Sequence, residues 1–134
     1  MEKAEFLPLT GGAFLDSIGP IMARRGADWE TCLTLDDQHL NPVGTAHGGL
    51  LMTLLETTLR LCASPDPAQL RLGERPAQFN CNICQGAKAG ETVEGHARVS
   101  HTTKSLLFAT GQLLVGGRIV MTGSAIFLNP PRPG

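Results

Sequence analysis

The chain has 134 residues, enough for one compact domain with a substantial core and short for two. Lys and Arg number 11 against 12 Asp and Glu, so no large net field is available to hold nucleic acid or an acidic membrane by charge alone. The start, Met1-Glu2-Lys3-Ala4-Glu5, is acidic and no signal-type apolar run follows it; the longest apolar stretch, in the fifties, is broken by Thr53 and Glu56. These features read as a soluble, cytoplasmic protein that binds neither nucleic acid nor membrane.

In chain order, Phe6 to about Arg25 mixes Gly11-Gly12 with Phe14, Leu15, Ile18, Ile21 and Met22, a pattern that predicts a short amphipathic helix interrupted at Gly19-Pro20. Residues 1–27 are therefore read as an N-terminal helical segment lying along an edge. From Asp28 to Leu35 the alternation of Trp29, Thr31, Leu33 and Leu35 with polar neighbours predicts a strand, and Asp36-Asp37-Gln38-His39 a turn.

Next comes Asn41-Pro42-Val43-Gly44-Thr45-Ala46-His47-Gly48-Gly49, running directly into Leu50-Leu51-Met52-Thr53-Leu54-Leu55-Glu56. The spacing predicts a helix from His47 to about Ser64, closed by Ser64-Pro65-Asp66-Pro67. Its leucines cover nearly the whole circumference, so it is expected to be buried on most sides. A glycine-rich turn at a helix start leaves bare N–H groups, which attract developing negative charge, and Glu56 is an acid in an apolar setting two turns along. That combination suits acyl transfer.

A loop from Pro65 to about Pro76 precedes three strand-like runs, Gln78–Gln85, Thr92–His101 and Leu106–Val115; a fourth, Arg118–Leu128, follows the hairpin pair Gly116-Gly117. Residues 129–134, rich in proline, read as a flexible tail. One mostly buried helix and four sequential strands imply an antiparallel sheet wrapped around a central helix, an α+β arrangement whose open edges call for a dimer. The four cysteines read as buried free thiols. Cys81 and Cys84 lie three apart in a strand, so their sulfurs diverge, and with no second ligand pair no metal site is expected. His39, His96 and His101 read as ordinary surface or strand histidines.

The run Asn-x-x-Gly-x-x-His-Gly-Gly, followed by seven mostly apolar residues and an acid, resembles the signature of the hotdog-fold acyl-CoA thioesterases, in particular the PaaI-like group. The matching residues are Asn41, Gly44, His47, Gly48, Gly49 and Glu56, and the likeness extends over the element order from about Asp28 onward. It implies a single hotdog domain over residues 1–134, a homodimer or a homotetramer built as a dimer of dimers, and hydrolysis of an acyl- or aryl-CoA without a cofactor, coenzyme A being part of the substrate.

The resemblance also implies residue roles. Gly48 polarises the thioester carbonyl through its N–H, and Glu56 is general base or nucleophile. Asn41 holds the attacking water or the carbonyl, while His47 orders the turn beside them. Gly49, Gln78, Asn80 and Asn82 are candidates for the substrate, Gln78 or Asn80 standing where the family has a serine or threonine helper. His101, Thr103, Lys104 and Ser105 form a turn suited to the nucleotide end of coenzyme A. Most members of the group carry Asp at position 56, and where related hydroxybenzoyl-CoA enzymes have a threonine this chain has Arg60. Glu56 lies eight residues beyond Gly48, about 12 Å along a straight helix at ~1.5 Å per residue. That separation implies sites shared across a dimer, acid from one subunit and glycine from the other. Alternatives are a hotdog protein that binds acyl-CoA without hydrolysing it, and an enoyl-thioester hydratase.

Overall fold

The computed structural model describes residues 5–129. Its elements, in chain order, are β1 (Leu7–Pro8), α1 (Ala13–Ile18), β2 (Met22–Arg25), β3 (Trp29–Thr34), α2 (Gly48–Leu61), β4 (Gln78–Ile83), β5 (Thr92–Thr102), β6 (Leu106–Val115) and β7 (Arg118–Leu128). Single 3₁₀ turns occur at Asp37–His39 and Pro67–Gln69. The strands form one seven-stranded sheet in the order β1-β2-β3-β5-β6-β7-β4, with every pairing antiparallel. This is the hotdog architecture, a curved antiparallel sheet closed around one long helix.

The helix fits the sheet because the strands present small residues where it crosses them. Gly111 pairs with Ala97 on one side and Gly123 on the other, and Gly95 lies two pairs further along β5, opposite Leu113. A Cβ placed on Gly123 would sit 2.6 Å from the Asn80 carbonyl oxygen and 2.7 Å from Leu55 Cδ2. One on Gly111 would meet Leu59 Cδ2 at 3.2 Å, and one on Gly95 would overlap the Thr31 and Thr58 hydroxyls. Those hydroxyls bond each other at 2.7 Å, and Thr58 also reaches the Leu54 carbonyl at 2.7 Å, so neither is orphaned in the core. Leu51, Leu54, Leu55, Leu59 and Leu61 are buried between helix and sheet, each contributing about 1.5–3 kcal/mol of hydrophobic stabilisation.

The helix is not buried all round. Gly49, Met52, Thr53, Glu56 and Arg60 keep partial or full exposure and form one open stripe at helical spacing.

The N-terminal segment differs from the expected helix. Only Ala13–Ile18 is helical; Leu7–Pro8 and Met22–Arg25 are strands that extend the sheet. After Pro20 the buried residues alternate, Ile21 and Ala23 inward with Met22 and Arg24 between them, and β3 offers a ladder, so pairing overrides helical periodicity. Arg24 then pairs with the buried Glu30 through Nη2–Oε1 at 3.0 Å, and Arg25 lies over the Trp29 ring. At the other end only Asn129 of the proline-rich tail lies among the described residues. It is held by an N–H bond to the Ser105 carbonyl (2.8 Å) and an Nδ2 bond to that of Thr103 (3.0 Å).

The cysteines are free, but not buried as expected: Cys32, Cys62 and Cys81 are half-buried and Cys84 is exposed. Cys81 faces the helix, whereas Cys84 falls just past the end of β4. Cys62 caps the C-terminus of α2; burial, opposed by Arg25 and assisted by Asp28, pushes its thiol pKa from about 9.0 up to about 12. An acid whose folded pKa is raised stabilises the fold fully below its unfolded value, and that contribution is lost as pH rises towards the folded one.

Two stability measurements follow. Gly123→Ala forces backbone of β4 or a core leucine to move, so chemical denaturation should show a loss of about 1–3 kcal/mol. Unchanged stability would mean that the helix does not need this close approach. The thermal midpoint should fall between about pH 9 and 12, and the fall should be shallower in Cys62→Ala.

Candidate active site

The site begins with a loop that is braced from three directions before the helix starts. Asn41 accepts the N–H groups of Val43 and Thr45 on Oδ1, both at 3.1 Å, and donates from Nδ2 to the Thr45 hydroxyl at 2.9 Å. This Asx-type turn is completed by Gly44 at φ 88°, whose N–H bonds the Asn41 carbonyl at 3.1 Å. The amide expected to hold water or a carbonyl is thus largely spent on its own turn. Next door, Ala46 N–H bonds the Ala87 carbonyl at 2.7 Å, joining the loop to the segment between β4 and β5.

That segment is fixed in turn by Glu91. Its carboxylate accepts the Lys88 N–H at 2.7 Å and pairs with Arg118 at 2.9 Å, which hold its pKa below the ordinary carboxylate value.

The third brace is His39, which is 2% exposed and so is no ordinary surface histidine. Its Nδ1 accepts the Asp36 N–H at 3.0 Å, so the proton sits on Nε2, which donates to the Ile18 carbonyl at 2.6 Å. Its own carbonyl accepts the His47 N–H at 2.8 Å. One buried ring thereby ties the end of α1 to the residue that caps α2. The sequence signal for it was Asp36 three residues before His39, a reciprocal cap of the short 3₁₀ turn.

His47 is that cap. Its Nδ1 accepts the Gly49 N–H at 2.9 Å, so this nitrogen is unavailable as a base in this arrangement. Gly49 N–H is therefore occupied, whereas Gly48 N–H finds no acceptor among the described residues. A Cβ on Gly48 would meet only Ile83 Cδ1, at 3.4 Å, leaving room over its backbone. An unengaged N–H in the first turn, at the positive end of a 14-residue helix, is what a developing oxyanion requires.

Glu56 lies on the open stripe of α2, and a third of its side chain is exposed. Its Oε1 is 3.6 Å from Arg60 Nη1 one turn later. Within one protomer the acid is thus neither deeply buried nor unpaired.

The other candidates fall elsewhere. Gln78, Asn80 and Asn82 alternate with Phe79 and Cys81, which pack towards α2, so the three amides face the opposite side of the sheet. Gln78 and Asn80 line a cavity of about 260 Å³ there, next to one of about 370 Å³ that includes His96, Arg98 and Gln112. Neither cavity contains any residue of the Asn41–Glu56 segment.

His101, Thr103, Lys104 and Ser105 are all exposed. A bulge between Val99 and His101 turns His101 to the outer face, beside Phe108. The turn is closed by Thr103 and Leu106, with Leu106 N–H bonded to Thr103 Oγ1 at 2.9 Å and Thr103 N–H to the Leu106 carbonyl at 2.8 Å. Lys104 has no carboxylate partner among the described residues. The register puts Ile83, beside Gly48, opposite Met121, while the turn adjoins Leu128. Helix start and turn of one protomer are thus on the order of 20 Å apart at ~3.3 Å per strand residue. Among the described residues no cluster of His, Cys, Asp and Glu could hold a metal, and no helix is long and apolar enough to cross a membrane.

No family model matches the sequence. The chain is 34% identical over 130 residues to a Pseudomonas aeruginosa protein named "Putative esterase PA0474", with 93% of this chain and 95% of the relative covered. Among solved structures it resembles a conserved Pseudomonas aeruginosa protein, with TM-score 0.75, 22% identity, and 87% and 93% of the two chains covered. It also resembles the E. coli PaaI protein of the phenylacetic acid degradation operon, with TM-score 0.71, 19% identity, and 86% and 82% covered. With the helix-start motif and the antiparallel sheet around α2, these likenesses place the chain in the PaaI-like hotdog thioesterase family.

Proposed function

We propose that the protein hydrolyses an acyl- or aryl-CoA thioester to the free acid and coenzyme A, in sites built across a dimer interface. The observation that carries this reading is the unengaged Gly48 N–H at the start of α2, on a helix whose open stripe bears Glu56. Gly48 N–H donates to the thioester carbonyl, making its carbon more electrophilic and stabilising the oxyanion that forms. Glu56 either takes a proton from the water that attacks, or attacks itself to give an anhydride that water opens. In both routes the carbon–sulfur bond breaks and coenzyme A leaves as the thiolate, which is then protonated. The chain's own groups suffice for this chemistry, with no cofactor.

The separation of Gly48 from Glu56 supports a dimer in which each supplies half of a site. The free edge at β4, with Ile83 54% exposed and Met52 of the nearby helix 38% exposed, supports the same assembly. Asn41 and His47 then act by holding the turn that aims Gly48. Lys104, unpaired in an exposed turn, suits a phosphate of coenzyme A in an assembly that brings a partner's turn within reach. The Glu56–Arg60 contact favours a second reading, an acyl-CoA binder that does not hydrolyse, because one oxygen of the acid is engaged by a guanidinium of its own helix.

Release of free thiol from phenylacetyl-, benzoyl- and medium-chain acyl-CoA separates the two. The wild type should turn over at least one of these, and Glu56→Gln should lose about 10²–10⁴ in rate. Gly48→Ala keeps the N–H and has room for its methyl, so it should retain most activity. Gly48→Pro suits the first helical position but lacks the donor, and it should lose about 10²–10³. No thiol release from any of the panel, with intact thioester recovered bound, would establish the binder instead.

A further inference from the structure

We infer that Arg60 is a positioning residue for Glu56, holding one carboxylate oxygen and leaving the other to act; this rests on the hydrolase reading above. The guanidinium is fixed before it meets the acid. Its Nε–H donates to the Gly73 carbonyl at 3.0 Å, and the Arg60 carbonyl accepts the Gly73 N–H at 3.1 Å. Gly73 is buried and has no space for a Cβ, which would collide with the Ala63 carbonyl. The loop after α2 is thus pinned to the last helical turn by both the main chain and the side chain of one residue.

An exposed ion pair four residues apart on a helix is ordinarily weak, because two long side chains must be ordered to form it. Here one of them is ordered by a different bond. With Nε bonded to Gly73 the planar group is restrained, and Nη1 stands 3.6 Å from Glu56 Oε1, at ion-pair distance. Glu56 is therefore oriented with Oε2 as its open acceptor, the oxygen placed to receive a proton from water or to attack. Lysine cannot reproduce this, since an ammonium has no planar fork to serve Gly73 and Glu56 together.

The competing explanation is that Arg60 only clamps the loop. Steady-state kinetics on the best acyl-CoA of the panel, with thermal midpoints and circular dichroism recorded alongside, decide between them. Arg60→Met should lower kcat about ten-fold with KM within about two-fold, the loss of one charge-assisted contact at the acid. Arg60→Lys should fall between it and the wild type, and serves if the methionine variant folds poorly. In a Glu56→Asp background, where the acid is shorter by one methylene and out of reach, Arg60→Met should have no further effect on kcat. A change in KM or thermal midpoint with kcat preserved, or an additive loss in the Glu56→Asp background, would overturn the inference. An inactive Glu56→Gln beside a fully active Arg60→Met would overturn it alone. A fully active Glu56→Gln would remove the hydrolase reading with it.

Discussion

Everything at the site depends on how closely α2 lies against the sheet. Gly95, Gly111 and Gly123 leave three adjacent strands bare where the helix crosses, and Leu55, Leu59 and Thr58 fill the space side chains would have taken. Interiors are packed densely enough that one added methyl is felt, so this contact sets the height and tilt of the helix with little freedom. A helix free to shift by an ångström could not aim a first-turn N–H at a reacting oxygen. The glycines thus act on the first turn from a distance, by making the helix a fixed mount.

The braces at the N-terminus of α2 serve the same end. A glycine pair at a helix start is the most mobile backbone the chain could place there, and at Gly49 a Cβ would press on the His47 ring at 3.1 Å. The structure resolves this by immobilising everything before it. Asn41 closes the loop on itself, Ala46 is tied to Ala87, and buried His39 holds His47 through its main chain. His47 then uses its ring to occupy Gly49 N–H, which leaves the N–H groups of Gly48 and Leu50 without an acceptor among the described residues. A short run of polar residues thereby fixes the backbone that carries the orphan amides of any helix start.

Much of this was legible in the sequence, for reasons that can be stated residue by residue. The long helix and the four later strands were readable because their periodicities are unmixed, and Gly116-Gly117 marks its hairpin because both residues take positive φ, 55° and 86°. The first strands were not readable, since Met22–Arg25 is too short to outweigh the helical spacing before it and owes its form to β3. The outward aim of Gln78, Asn80 and Asn82 was in the sequence after all: Phe79 and Cys81 between them show which face is apolar. His101 was beyond reach, because a bulge reverses its facing and no local residue announces it. The burial of His39 depends on a carbonyl from α1, twenty-one residues away, which no local pattern encodes.

The helix therefore divides its residues between two duties that pull in different directions. The inner leucines and threonines face a surface that fixes them, and there packing decides which residue is tolerated. The outer stripe of Gly49, Met52, Thr53, Glu56 and Arg60 carries only local ties, from Gly49 to the His47 ring, from Thr53 to the Gly49 carbonyl and from Arg60 to that of Gly73. A charged pair there, anchored at one end to the buried Gly73, adds little to folding by the ordinary worth of surface ion pairs. Leucine at position 60 would give up the Nε–H bond to Gly73, and leucine at position 56 would lie on the open face with no core to enter. Glu56 and Arg60 thus stand on the face of α2 that the described residues leave open, with the pair anchored at one end by the Gly73 carbonyl.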